Sequence, residues 1–248
     1  MCCFANTSYQ KIMYHNYIFD LYGTLVDIHT NESNSYLWDK TAQIYSALGA
    51  EYTKTELKRE YKKLCNSLQE KLKEDYGEIE LKEAFYQLFA QKGVNPSEEL
   101  VLYVAQTFRV LSRKYVSVYP EIIDLLESLK KSGKKIYLLS NAQAVFTIPE
   151  LKQTKIYDYF DGIVISSEVG ICKPNSDFMQ HLLSKYKLNI SESIMIGNDK
   201  NCDIAIANAF NMDSLYIHSN ISPNNEETIK ATYEILDGQF SRIKQLLL

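Results

Sequence analysis

The sequence is poor in the residues that punctuate or staple a chain: among 248 residues there are 9 Gly, 5 Pro, 5 Cys and a single Trp. So little Gly and Pro excludes collagenous, low-complexity and linker-dominated classes. The cysteines (Cys2, Cys3, Cys65, Cys172, Cys202) are odd in number and form no CxxC pair. They fit a reducing compartment better than a disulfide framework, and Cys172 and Cys202 read as small, inert thiols. No apolar run approaches the ~20 residues of a membrane span. The start, Met1 to Ser8, lacks the charged and apolar regions of a secretory signal, so the expectation is a soluble cytoplasmic protein. With 27 basic against 31 acidic side chains, the net charge of −4 leaves no footprint for nucleic acid or an anionic membrane surface. The chain is long enough to bury roughly 75% of its unfolded surface, so it needs no metal or disulfide to fold.

What is present falls into two rhythms. Tyr17-Ile18-Phe19 is a short buried-strand pattern ending at Asp20. From about Ser33 to Tyr115 the periodicity is helical, in four segments: Ser35 to Leu48, Thr53 to Tyr76-Gly77, Leu81 to Gln91, and Pro96 to Tyr115. Thr53-Lys54-Thr55-Glu56 supplies a cap with an acid three residues on, and Pro96 sits in a first turn. Beyond Pro120 short apolar strands (Ile136–Leu139, Gly162–Ile165, Ile194–Ile196, Leu215–Ile217) alternate with helices. That alternation means βαβ units and a parallel sheet covered on both faces, with the helical block inserted after the first strand. The aromatics of that block (Tyr36, Trp38, Tyr45, Phe85, Tyr86, Phe89, Phe108) are spaced as a helical core, although they could line a substrate pocket.

Ligands of open α/β sheets gather at the carboxyl ends of strands. Those ends carry Asp20, Ser140-Asn141, Glu168 with Lys173, and Asn198-Asp199. Any one alone reads as a cap or a solvated loop residue; together they offer two carboxylates, a hydroxyl and an ammonium.

Four runs resemble, in order, the motifs of the haloacid dehalogenase-like (HAD) hydrolase superfamily: Ile18-Phe19-Asp20-Leu21-Tyr22-Gly23-Thr24-Leu25-Val26-Asp27, Leu138-Leu139-Ser140-Asn141, Cys172-Lys173-Pro174, and Gly197-Asn198-Asp199-Lys200-Asn201-Cys202-Asp203-Ile204. The resemblance spans residues 17 to about 218. It implies an α/β fold: a Rossmann-like parallel-sheet HAD core over 14–30 and 117–248, with an inserted all-helical, C1-type cap over 31–116.

The same resemblance implies the chemistry. Asp20 is then the nucleophile that forms an aspartyl phosphate. Gly23-Thr24 makes a tight turn aimed at the phosphate. Ser140 and the Asn141 amide hold phosphate oxygens at a helix start, a geometry that plain N-capping also satisfies. Lys173 neutralises the equatorial oxygens. Two converging carboxylates and a phosphate imply Mg²⁺, with Asp20, the Tyr22 carbonyl and the fourth motif as ligands. There the spacing leaves Asn198 and Asp199 as alternatives, with Asp203 orienting the ligand or Lys173.

Phosphatases of this family usually carry an aspartate two residues after the nucleophile, where this chain has Tyr22. A phenol with an ordinary pKa near 10 is a poor acid/base near neutral pH. His29 or a cap residue could take over. Asp-x-Tyr-Gly-Thr also resembles the 2-haloacid dehalogenases, which need no metal and place an arginine early in the cap. Here Ile28 to Tyr52 contains no arginine, and the first is Arg59. A catalytically weakened binding or regulatory protein is the third reading, supported by Tyr22 and Asn198. The expected function is a phosphatase acting on a small phosphorylated substrate, as a monomer or homodimer.

Overall fold

The computed structural model describes residues 14–224 and 230–248; Cys2 and Cys3 lie outside them. The chain begins with β1 (Asn16–Phe19), whose four residues are all buried, and passes through a tight turn into β2 (Val26–Thr30). Four helices follow: α1 (Ser35–Ala47), α2 (Lys54–Glu70), α3 (Leu81–Ala90) and α4 (Glu98–Ser112). Asn34, Thr53 and Ser97 cap three of them, each side chain accepting an early backbone N–H. The chain returns through β3 (Arg113–Val118) and α5 (Ile122–Lys131) to β4 (Lys135–Ser140), α6 (Ala144–Gln153), β5 (Gly162–Ile165) and the single turn α7 (Ser166–Val169). Then come α8 (Ser176–Tyr186), β6 (Ser193–Gly197), a π turn over Lys200–Ile204, α9 (Ala205–Ala209), β7 (Asp213–Ile217), β8 (Tyr233–Ile235) and α10 (Ser241–Leu247).

Six strands form one sheet in the order β5-β4-β1-β6-β7-β8, every pairing parallel. Alternate residues face opposite layers, as the pleat requires. Tyr17, Phe19, Leu138 and Ile196 enter one hydrophobic cluster, and Ile18, Leu139 and Met195 enter the other. Because β1 lies between β4 and β6, their three carboxyl ends adjoin, and Asp20, Ser140 and Gly197 fall side by side.

The four inserted helices pack around a core of their own, centred on Trp38, Tyr45, Phe85, Phe89 and Phe108. These aromatics are core, while Tyr36 is 56% exposed. Helical periodicity does not run on to Tyr115. β3 starts at Arg113 and pairs antiparallel with β2, Val26 opposite Val118 and Ile28 opposite Val116. This two-stranded ribbon joins the helical block to the sheet. The block is therefore not purely helical where it rejoins the sheet. The helix that follows the Ile194–Ile196 strand likewise opens as the π turn before α9.

Candidate active site

Asp20 follows the last residue of β1, and its N–H donates to the Ile196 carbonyl of β6 at 2.9 Å, continuing the sheet for one step. Next comes a turn in which the Gly23 N–H donates to Val26 O, and those of Thr24, Leu25 and Val26 converge on Leu21 O. The Gly23 and Thr24 amides expected to face a phosphate are thus engaged within the turn. Gly23 serves by shape instead. Its φ is +89°, and a Cβ there would lie 2.2 Å from Asn198 Nδ2. The Thr24 hydroxyl lies 3.5 Å from Asp20 Oδ2 and 3.3 Å from Asn198 Oδ1.

Lys173 is fully buried, and its Nζ lies 2.7 Å from each of Asp20 Oδ1, Asp203 Oδ1 and Leu139 O. Asp20 Oδ1 and Leu139 O accept hydrogen bonds from the ammonium, and Asp203 pairs with it by charge. Burial alone pulls its pKa down, but the Asp20 and Asp203 carboxylates outweigh burial and hold it above the usual lysine range. For Asp203, burial pushes the carboxyl above the usual carboxylate range against the pull of Lys173. The Asn141 amide clasps the lysine backbone from both sides: Nδ2 donates to Lys173 O at 3.0 Å and Oδ1 accepts from Lys173 N at 2.8 Å.

Neither Ser140 nor Asn141 caps α6. The backbone N–H groups of Ala142 and Ala144 there donate to Ser166 Oγ and Ser167 Oγ. Ser140 Oγ, at the end of β4, is buried with no hydrogen-bond partner among the described residues. A buried hydroxyl left unsatisfied costs about 1–3 kcal/mol, so its partner is expected from a ligand.

In the fourth motif, Asn198 is buried, lies within reach of Thr24 and donates to Ser222 Oγ at 3.4 Å. Asp199 Oδ1 accepts from the N–H groups of Asn201 and Cys202 at 2.9 and 3.3 Å, closing the π turn. Asp203 Oδ1 faces the Lys173 ammonium at 2.7 Å as an ion pair, and Oδ2 accepts from Asp199 N at 3.0 Å. Burial, with Asp199 and Asp203 adding, pushes the Cys202 thiol up to about 12, so it is inert.

Asp20, Tyr22, Asn141, Lys173, Asn198, Asp199 and Asp203 line one cavity of about 180 Å³, walled by Cys202, Ile221 and Pro223. Among the described residues no group of three or more His, Cys, Asp or Glu is arranged to hold a metal ion. The cavity's oxygen-bearing residues are Asp20, Asp199 and Asp203 with Tyr22 and Asn198, and the Cys202 thiol that also lines it is held protonated by burial. That set suits Mg²⁺, which takes one or two carboxylates and keeps several waters, and not a soft metal.

Two features were missed in the sequence. The segment between α2 and α3 docks beside Lys173: Gly77 bridges Ile171 antiparallel, Tyr76 O accepts from Cys172 N, and Glu78 O groups bond Gln143 and Ser166. The other is Glu150 on α6, 3% exposed, which accepts hydrogen bonds from Tyr22 Oη, Arg109 and Arg113. A signal for it existed, since Phe146 and Glu150 are four apart on the buried stripe of α6. Tyr22 Oη is also 3.2 Å from Thr147 Oγ1, and burial, then the Glu150 charge, raises its pKa above the ordinary phenol value. His29, the other acid/base candidate, stacks on Tyr115 in the β2–β3 ribbon, ring centroids 6.0 Å apart.

A family described as haloacid dehalogenase-like hydrolase matches residues 14–211. The chain is 26% identical over 210 residues to glyceraldehyde 3-phosphate phosphatase of Methanopyrus kandleri, covering 83% of this chain and 84% of that protein. To phosphoglycolate phosphatase of Vibrio vulnificus it is 28% identical over 47% of this chain and 54% of that one. Among solved structures it resembles 2-haloacid dehalogenase from Pseudomonas syringae (TM-score 0.63, 18% identity, 95% of this chain and 98% of that one). It also resembles a HAD phosphatase from Thermococcus onnurineus (TM-score 0.59, 19% identity, 94% and 97%). One backbone therefore serves both chemistries, and the choice between them rests on side chains.

Proposed function

The chain belongs to the haloacid dehalogenase-like hydrolases, and within that family we propose that it is a Mg²⁺-dependent phosphatase acting on a small phosphorylated metabolite. The observation that carries this reading is the set of groups around one cavity: the Asp20 carboxylate fixed by Lys173, with Asp199 beside them. The unpartnered Ser140 hydroxyl at the end of β4 points the same way. The phosphatase relatives add to it.

Residues 31–116 act as the cap and 14–30 with 117–248 as the core. In the first half-reaction an Asp20 oxygen bonds to phosphorus as the ester oxygen leaves, giving an aspartyl phosphate and the alcohol once a proton is taken up. Lys173, held by Asp20 and Leu139 O, supplies positive charge beside the transferring phosphoryl group. Ser140 Oγ donates to a phosphoryl oxygen. Water then cleaves the acyl phosphate and restores Asp20. Asp20, Asp199, the Tyr22 carbonyl and the Asn198 amide would hold Mg²⁺, which when bound supplies further positive charge to the phosphoryl oxygens. A cavity of about 180 Å³ favours a phosphate on a short carbon skeleton. The half-buried free thiols Cys65, Cys172 and Cys202 fit a reducing, cytoplasmic setting.

The dehalogenase alternative has less support. Asp199 and Asp203 put further carboxylates in the cavity beside Asp20, and the first arginine of the cap, Arg59, pairs with Glu60 with 68% of its side chain exposed. The test is a panel of phosphorylated metabolites and 2-chloropropionate, with Mg²⁺ and with EDTA. Phosphate release that EDTA abolishes supports the proposal, whereas chloride release in EDTA overturns it.

A further inference from the structure

In the position two residues beyond the nucleophile, Tyr22 turns its hydroxyl away from a reacting role and donates to Glu150 Oε2. The same carboxylate takes Arg109 twice, Nε on Oε1 at 2.8 Å and Nη2 on Oε2 at 3.3 Å, and Arg113 Nη1 on Oε1 at 2.8 Å. Arg113 Nη2 goes on to Gln153 at 2.7 Å. The Arg109 guanidinium also lies over the Tyr22 and Phe146 rings, 5.8 and 5.2 Å from their centroids. The partners belong to different elements. Tyr22 is in the nucleophile turn, Glu150 in the core helix that follows Ser140, Arg109 in the last turn of α4, and Arg113 at the first residue of β3.

We propose that Glu150 is a positioning residue that couples the cap to the nucleophile turn, binding Tyr22 on one side and the α4–β3 junction on the other. The argument is one of charge and burial. A carboxylate that is 3% exposed needs its donors, because a buried charge stripped of one partner is strongly disfavoured. Glu150 is therefore well satisfied only while all three donors are in place. Any swing of the cap that draws Arg109 off leaves the carboxylate under-compensated and slackens its hold on Tyr22. In this arrangement the Tyr22 side chain is pinned, and with it the backbone between Asp20 and Gly23. Tyr22 then acts as a strut rather than as the acid that an aspartate would be. This deepens the phosphatase proposal and rests on it for its catalytic consequence, but the coupling itself can be read without turnover.

The experiment uses Tyr22→Phe, Glu150→Gln and the double variant. Amide hydrogen exchange followed by mass spectrometry reads residues 20–26 and 109–118, and Trp38 emission reports whether the cap is folded. Loss of a hydrogen bond to a charged group corresponds to roughly a tenfold effect or more. Tyr22→Phe should therefore speed exchange by about that factor in both segments, although Tyr22 lies in only one of them, and leave α2 and α8 unchanged. In kinetics, each single variant should lower kcat about tenfold with little change in KM, and the double variant should be no worse than Glu150→Gln alone, as expected of one shared interaction. Faster exchange confined to 20–26, faster exchange everywhere, or effects on kcat that multiply would each overturn the proposal. Tyr22→Phe removes one oxygen and decides the matter alone if Glu150→Gln does not fold. If the wild type releases no phosphate, the functional reading fails, while the exchange result still tells whether the coupling exists.

Discussion

Lys173 Nζ lies 2.7 Å from Asp203 Oδ1, and each side chain is 1% exposed. The ammonium is held above its unfolded pKa, so its stabilising contribution is fully present below the ordinary lysine value of ~10.4 and is lost as pH rises through the folded one. Removing it leaves Asp203 buried beside Asp20. Lys173→Met should destabilise the fold by about 3–5 kcal/mol at pH 8. The loss should shrink at pH 5, because Asp203, already pushed up by burial, can then take a proton. Urea midpoints at the two pH values test this. Equal losses at both would show that the ion pair contributes little.

Gly197 closes against the same carboxylate: a Cβ there would lie 2.1 Å from Asp203 Oδ2. Gly197→Ala must push Asp203 off Lys173. A displacement of ~1 Å from productive geometry can lower turnover ~10²-fold, so Gly197→Ala should resemble Asp203→Asn in kcat. Wild-type kcat in Gly197→Ala would remove Asp203 from the account.

The Tyr22 hydroxyl is committed to Glu150 and its pKa is raised, so it does not serve the leaving group. Rates should then depend steeply on leaving-group pKa, with aryl and acyl phosphates turned over faster than alkyl phosphates by up to the ~10²–10⁴ that a general acid supplies. A leaving-group series on the wild type checks this. A flat series would mean that another group already donates the proton.

The parallel strands were legible because each is a short apolar run buried on both faces, as Gly162–Ile165 shows without adjustment. β3 was not, because Arg113–Val118 follows α4 without a break and its alternation is hidden behind fifteen helical residues. Nor was β8, an edge strand of three residues. The positions of Asp20 and Ser140 at strand ends were legible, whereas Lys173 reaches Asp20 from the loop beyond α7. Asn198 and Asp199 were not separable by spacing; the fold distinguishes them by burying Asn198 beside Thr24 and setting Asp199 on the π turn. Glu150 escaped because a glutamate in a helix ordinarily faces solvent, and its place four residues after Phe146 is a weak signal until Arg109 and Arg113 pack against it.

The proposed donor set of Asp20, Asp199, the Tyr22 carbonyl and the Asn198 amide carries few charges, so it should hold Mg²⁺ loosely. EDTA should abolish phosphate release, and added Mg²⁺ should restore it fully. Asp199→Asn should raise the Mg²⁺ concentration needed for half-maximal rate. Release that persists in EDTA would contradict the proposed ligands.

Without an acid/base partner at position 22, hydrolysis of the aspartyl phosphate should be slow enough for it to accumulate. The most direct measurement is therefore the intact mass of the protein after acid quench during turnover of acetyl phosphate with Mg²⁺. The account predicts one added phosphoryl group on the wild type and none on Asp20→Asn, which should also release essentially no phosphate. Steady phosphate release by the wild type with no adduct, or an adduct that survives in Asp20→Asn, would contradict Asp20 as the nucleophile.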